Sequence, residues 1–218
     1  MSNNIITNDE YYKIINQKTE LINSCITDTI QIAKAVIGEN LIPLDLCFCG
    51  MLDRNINLAK GFISMINERN LTCAGAMLRI QIDNCLRLYA IYIAEDEDAV
   101  ISYILEGKRI NNLKDKKGYK MTDYYLKNQL EKYDKKLPAV YDNASGFIHF
   151  SAKSVFQIVK ECKDNKISLQ IGHELPEKRN TVLIECADAF LHYFKLFLNI
   201  MKIEADWKRE YDKEWEEK

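Results

Sequence analysis

The chain has 218 residues, a length suited to one large domain, and its 47% hydrophobic and 28% charged content excludes intrinsic disorder. Its 30 basic and 32 acidic residues leave a net charge of −2, so no global electrostatic pull towards nucleic acid exists. Eight glycines and three prolines are too few for the turns of a β-sandwich, and no apolar run reaches the ~18 residues of a transmembrane helix, so long helices and no membrane contact are expected.

Periodicity divides the chain into helices. The first is predicted over 9–37, with Ile14, Ile15, Leu21, Ile22, Cys25, Ile26, Ile30, Ala33 and Ile37 at steps of three and four and Gly38 as its stop. Pro43 opens the next unit, and 44–67 carries Leu46, Met51, Leu52, Ile56, Leu58, Phe62 and Ile66. The third helix, 71–94, is apolar in nearly every direction, the pattern of a central buried helix. A short helix follows over 96–106, its acidic start suited to a helix N-terminus.

Residues 108–120, KRINNLKDKKGYK, read as a loop with six basic residues against one Asp. Thr122 is an N-cap for a helix to about 136, and Pro138 occupies the first turn of a further helix through about 151. The period then changes. Runs 154–162 and 166–172 alternate loosely around Lys163-Asp164-Asn165 and predict a β-hairpin, with continuation of the preceding helix as the competing reading. A last helix is predicted from 177 to beyond 207, buried through Ile184, Ala187, Phe190, Leu191, Phe194, Phe197, Leu198 and Met201. Its end, 203–218, holds seven acids and four bases, the pattern of a solvated helix end or frayed tail. The expected architecture is mainly α, a single domain over 1–218 with five to seven helices and one small hairpin near 154–172.

The polar residues of the third helix stand out against its apolar surface. Arg79, Asp83 and Arg87 are four apart and fall within about 80° of one another. If Arg79 and Asp83 are buried they must pair, because an isolated interior charge costs several kcal/mol. Later, Asp142, Ser145 and His149 share one helix face, with Gly146 beside them and Ser151 beyond. A hydroxyl, an imidazole and a carboxylate are ingredients of acid–base chemistry, although Ser and His four apart on one helix is not the usual nucleophile geometry and no Gly-x-Ser-x-Gly elbow occurs. A buried Arg–Asp tie with a core histidine explains the same residues without any chemistry.

The strings LRIQIDNCLRLYAIYI, LEGKRINNLKDKKGYKMTDYYLKNQL and YDNASGFIHFS resemble an uncharacterised bacterial all-helical family. That family carries Arg-x3-acid on a central helix and Ser-x3-His about sixty residues on, matched here by Arg79, Asp83, Ser145, His149 and Ser151 over roughly residues 60–155. The resemblance implies a fold and a pocket rather than a reaction. More distantly the chain is similar to HEPN domains, helical bundles of bacterial defence and toxin systems, whose active ribonucleases carry Arg-x4-6-His. No arginine lies four to seven residues before His149, His173 or His192, so a HEPN-like site here requires Arg79 and His149 to meet in space.

Other signals are weaker. Cys47-x-Cys49 lacks the second ligand pair of a zinc site, and the seven cysteines, odd in number, read as free thiols of a reducing cytoplasm. His173-Glu174 reads as a polar loop pair, and there is no phosphate-binding glycine loop. No metal and no cofactor are expected. Lys108, Arg109, Lys114, Lys116, Lys117 and Lys120 are candidate phosphate contacts, with Tyr119, Tyr124 and Tyr125 near enough to stack on RNA bases. Three functions fit. One is a cytoplasmic binding module for an anionic ligand or a protein partner, with Arg79, Arg87 and Ser151 as ligand contacts. Another is a metal-independent ribonuclease with His149, Arg79, Asp83 and Ser145 as catalytic groups. The last is a scaffold whose polar cluster only sets helix register. A homodimer is compatible with each.

Overall fold

The computed structural model describes residues 5–163, 165–172 and 174–216. Asp164 of the expected turn, His173 of the polar pair, and Glu217 and Lys218 of the charged end lie outside them. Among the described residues there are eight α-helices, two 3-10 turns and one two-stranded hairpin. No helix among them is long and apolar enough to cross a membrane.

The mainly α class stands. Helices α1 (Asn8–Ile37), α2 (Pro43–Asn67), α3 (Leu71–Ile93) and α8 (Asn180–Glu216) pack in a closed ring, α1 on α2, α2 on α3, α3 on α8 and α8 on α1. Thr7 opens α1 with a capping box, its hydroxyl accepting from Glu10 N–H while Glu10 returns to Thr7 N–H. The buried stripe of α1 is Tyr11, Ile15, Ile22, Cys25, Thr29, Ile32 and Val36. Leu21, Ile30 and Ile37, expected inside, are exposed. The helix is apolar on more than one side, and contact with two neighbours selects the face. Phe62 of α2 stacks on Phe190 of α8 with ring centroids 3.9 Å apart, a contact worth about 0.5–1.5 kcal/mol beyond its burial.

Helix α8 runs parallel to both α1 and α3. Near its start, Asn180 donates to Ile6 O and to Asn8; near its end, Asp212 accepts from Glu39 N–H at 2.9 Å. Two parallel neighbours in a bundle require a long crossover connection. Residues 94–179 supply it and carry α4 (Glu97–Leu105), α5 (Asp123–Leu130), α6 (Leu137–Ile148), α7 (Ala152–Gln157) and the hairpin β1 (Val159–Lys163) and β2 (Lys166–Leu169).

The crossover departs from expectation in three places. Helix α5 stops at Leu130 rather than near 136; residues 131–133 form a turn, and the Asp134 carboxylate then takes Lys136 N–H at 3.0 Å just before α6. Helix α6 stops at Ile148, with His149 extended at φ −99° and ψ 143°. Residues 152–157 then form a short helix, so the first strand begins at Val159 rather than Ser154 and the helix count exceeds seven. Both earlier readings of this segment hold in part: helix resumes after a break, and the hairpin follows it.

The charged end of α8 is not simply solvated. Lys208 is 1% exposed, its ammonium 2.8 Å from Asp45 Oδ2 and donating also to Asn40 O. Asp45 also accepts Ile42 N–H, which begins α2. Gly38 sits beneath at φ +55°, and a Cβ there would lie 2.1 Å from Asp212 Oδ2, so only glycine fits this corner. The end of α8 therefore pins the α1–α2 turn.

Removing one partner of a buried pair strands the other charge. Lys208→Ala is expected to lower stability by about 3–5 kcal/mol in urea denaturation. The double variant with Asp45→Asn is expected to recover part of that loss. Hydrogen bonds from Glu39 N–H, aided by Lys208, hold the Asp212 carboxyl below its ordinary value against partial burial. Its contribution is complete at neutral pH and is lost only as pH falls below the ordinary carboxylate range, ~4, which an acid titration of Asp212→Asn against the parent measures.

Candidate functional site

Helix α3 buries Leu78, Ile82, Cys85, Leu86, Leu88, Ala90 and Ile91, and its polar side chains point to different neighbours. Arg79 is 7% exposed. Its Nε donates to Ser145 Oγ at 3.1 Å, its Nη2 donates to the Tyr141 hydroxyl, and its Nη1 lies 2.6 Å from Asp83 Oδ1. That last approach is close in charge but lacks hydrogen-bond alignment. The guanidinium carbon also lies 3.7 Å from the Tyr141 ring centroid. Burial pushes the Tyr141 phenol up more than the Arg79 charge pulls it down, so Tyr141 is a neutral acceptor for the fork.

Helix α6 meets α3 closely where Phe147 covers Gly75; a Cβ on Gly75 would lie 2.3 Å from the ring. Ser145 Oγ donates back to Tyr141 O at 2.8 Å, which fixes the acceptor that Arg79 uses. The structure thus brings Arg79, Asp83 and Ser145 together and adds Tyr141. His149 lies one turn on, exposed at the end of α6, its backbone N–H bonded to Ser145 O. Among the described residues no hydrogen bond or ion pair joins its ring to Arg79. Asp142, on the outer face, pairs with Lys127 at 2.9 Å. Ser151 Oγ donates to Gly146 O at 2.7 Å and closes the break between α6 and α7.

Arg87 leaves this cluster. Its Nη2 pairs with Asp123 in the first turn of α5, while its Nη1 is buried with no hydrogen-bond partner. It opens onto a pocket of about 720 Å³ lined also by Lys108, Arg109, Asn111, Thr122 and Tyr124. Asn111 Oδ1 is a second buried atom without a partner on this wall. Lys108 is drawn to Glu106, and Arg109 is exposed with no ion pair among the described residues. Thr122 caps α5 by accepting Tyr125 N–H at 3.2 Å.

The basic loop is ordered by an acid that charge counting treats as a minor offset. Asp115 is 4% exposed. Its Oδ1 accepts Lys117 N–H at 3.0 Å and Tyr119 N–H at 2.8 Å, and its Oδ2 accepts the Tyr125 hydroxyl at 2.5 Å. Burial alone would raise its pKa, but these three donors outweigh burial and hold it below the ordinary value. The Tyr125 phenol is pushed up to about 12 by desolvation and by this carboxylate. Lys114, Lys116, Lys117 and Lys120 consequently stand on the surface of a folded loop, with Lys114 and Lys120 bridged and Lys116 donating to Tyr92 O.

Asp115, Tyr141, Asp123 and Asn111 are the residues that sequence reading passed over. A lone Asp in a basic run is the one available signal for Asp115, since it is the one carboxylate that the run contains. Among the described residues no group of three or more His, Cys, Asp or Glu side chains could hold a metal ion. All seven cysteines are free, four of them buried, and burial raises the Cys47 and Cys49 thiols. No family model, no curated protein and no solved structure matches the chain.

Arg79→Lys keeps the charge but loses the fork, and is expected to cost about 1–3 kcal/mol in thermal or chemical denaturation. His149→Ala, at an exposed side chain, is expected to stay within about 0.5 kcal/mol of the parent.

Proposed function

We propose that the chain is a helical binding module that takes a phosphate-bearing ligand in the pocket walled by Arg87, Lys108 and Arg109. The carrying observation is that Arg87 lines the cavity with its Nη2 paired to Asp123 and its Nη1 buried without a hydrogen-bond partner among the described residues. A buried donor without an acceptor is costly, and an anion relieves that cost. Arg109 forms no ion pair among the described residues, and exposed Tyr124 offers a ring at the rim. Lys114, Lys117 and Lys120 extend the positive surface away from the pocket, which allows a longer ligand such as RNA. Seven free thiols favour a reducing, cytoplasmic setting.

The Arg79 cluster has a different role in this reading. Its guanidinium is occupied by Ser145, Tyr141 and Asp83, so it ties α6 to α3 and is not a ligand site. No observation favours the ribonuclease reading, which needs the His149 ring beside Arg79. The bacterial helical family and the HEPN likeness stay proposals about ancestry, independent of this pocket.

Calorimetric titration at low salt with a phosphomonoester, and separately with a short single-stranded RNA, tests the proposal. Binding that weakens as salt rises is expected, and Arg109→Ala is expected to weaken it about tenfold, ~1.4 kcal/mol. Arg109 is exposed, so this variant leaves the fold intact. RNA bound much more tightly than the monoester, with further loss in Lys117→Ala, would extend the site along the loop. Absence of binding by both probes, or equal affinity in Arg109→Ala, overturns the proposal.

A further inference from the structure

The segment from the end of α6 to the end of the hairpin, residues 148–171, carries Ile148, Phe150, Phe156, Ile167, Leu169 and Ile171 exposed. Phe150 is 88% exposed and Ile171 77%. Together the six amount to about four fully exposed large apolar side chains, roughly 600–800 Å² at ~150–200 Å² each. A monomer's largest apolar patch is ordinarily about 300–600 Å², whereas each partner in a standard interface buries about 800 Å². Phe156, on α7 just before the hairpin, also lines an apolar groove of about 490 Å³ with Leu78, Phe147 and Val182 of the bundle.

The hairpin is incomplete as a sheet. Two strands alone are marginal in water and need further strands or a helix against an apolar face. Strands β1 and β2 pair antiparallel with Val159 opposite Leu169 and Cys162 opposite Ile167, so these residues share a face. The register slips between Val159 and Glu161, and such an irregularity blunts the β1 edge. Along β2 every residue is exposed, the pairing is regular from Lys166 to Ser168, and the extra residue at the irregularity belongs to β1, so the free edge suited to further pairing is that of β2.

We propose that two copies of the chain associate through this hairpin, β2 pairing antiparallel with its own counterpart to form a four-stranded sheet. A second copy is the occupant that the geometry favours. An antiparallel pair of identical strands about a two-fold axis is self-complementary, and the exposed apolar area matches what one side of a stable dimer buries. In any register centred between Ile167 and Ile171, Lys166 faces a different residue from its own copy, so no like-charge pair opposes the contact. The doubled sheet places the Ile167, Leu169 and Ile171 faces of both copies side by side.

Sedimentation equilibrium or light scattering across a dilution series of the full chain tests this. A mass of twice 25.4 kDa that falls towards 25.4 kDa on dilution is expected. Leu169→Lys and Ile171→Asp are expected to weaken dimerisation at least tenfold with an unchanged helical circular dichroism spectrum. Ile30→Lys, at an exposed apolar residue of α1, is expected to leave it unchanged. A monomer at every concentration overturns the proposal, and so does a dimer that survives both hairpin substitutions or that Ile30→Lys dissolves. A monomer that binds vesicles through the same residues assigns the surface to lipid and equally overturns it.

Discussion

Helix α3 has almost no solvent face, and most of the buried polar side chains on it are answered from another helix. Arg79 is answered by α6, Arg87 by the first turn of α5, and Asn84 accepts from Arg54 of α2 at 3.0 Å. Gln81 and Cys85 both donate to the Tyr193 carbonyl of α8, and Tyr92 reaches Ile200 O. Apolar contacts bring the helices together but tolerate rotation and slippage. These directed contacts set the rotation of α3 against four neighbours at once, because each unanswered group would cost about 1–3 kcal/mol or more.

The same requirement shapes the crossover. With α1, α3 and α8 running in one direction, the chain must return along the bundle between α3 and α8 before α8 can begin. Residues 94–179 make that return, and α5 and α6 answer the outward charges of α3 as they pass. Connections between scaffold elements are where binding surfaces accumulate, since their backbones are not committed to the core. The cationic pocket and the apolar hairpin both lie here, whereas the α1–α2 corner is closed by Lys208, Asp45 and Asp212.

The limits of helices follow from sequence closely where local chemistry sets them. Thr7, Thr122, Gly38 and Pro43 act through their own backbone geometry, and the ends beside them fall within a residue of expectation. The misses in burial share a physical origin in partners distant along the chain. The buried face of α1 depends on which of two apolar sides meets α2 and α8. Lys208 looks solvated in a run of alternating charges, and its burial depends on Asp45, 163 residues earlier. A tie between Arg79 and Ser145 is legible as two polar groups that must meet something, while Tyr141, to which the sequence reading gives no role, completes it.

Arg79 and Arg87 begin from the same circumstances, two turns apart on one buried helix. Arg79 finds an acid on its own helix and two hydroxyls on α6, so every nitrogen faces a partner and the side chain is a finished joint. Arg87 finds one exposed carboxylate, Asp123, where α5 begins beside it. Its side chain lines the pocket shared with residues 107–111, and its Nη1 is left without an acceptor. In the function proposed above, a site for a mobile anion arises where the packing of a half-buried cation stops one acceptor short. The difference between the two arginines is therefore one of supply along the crossover, and it separates a residue that holds the fold from one able to hold a guest.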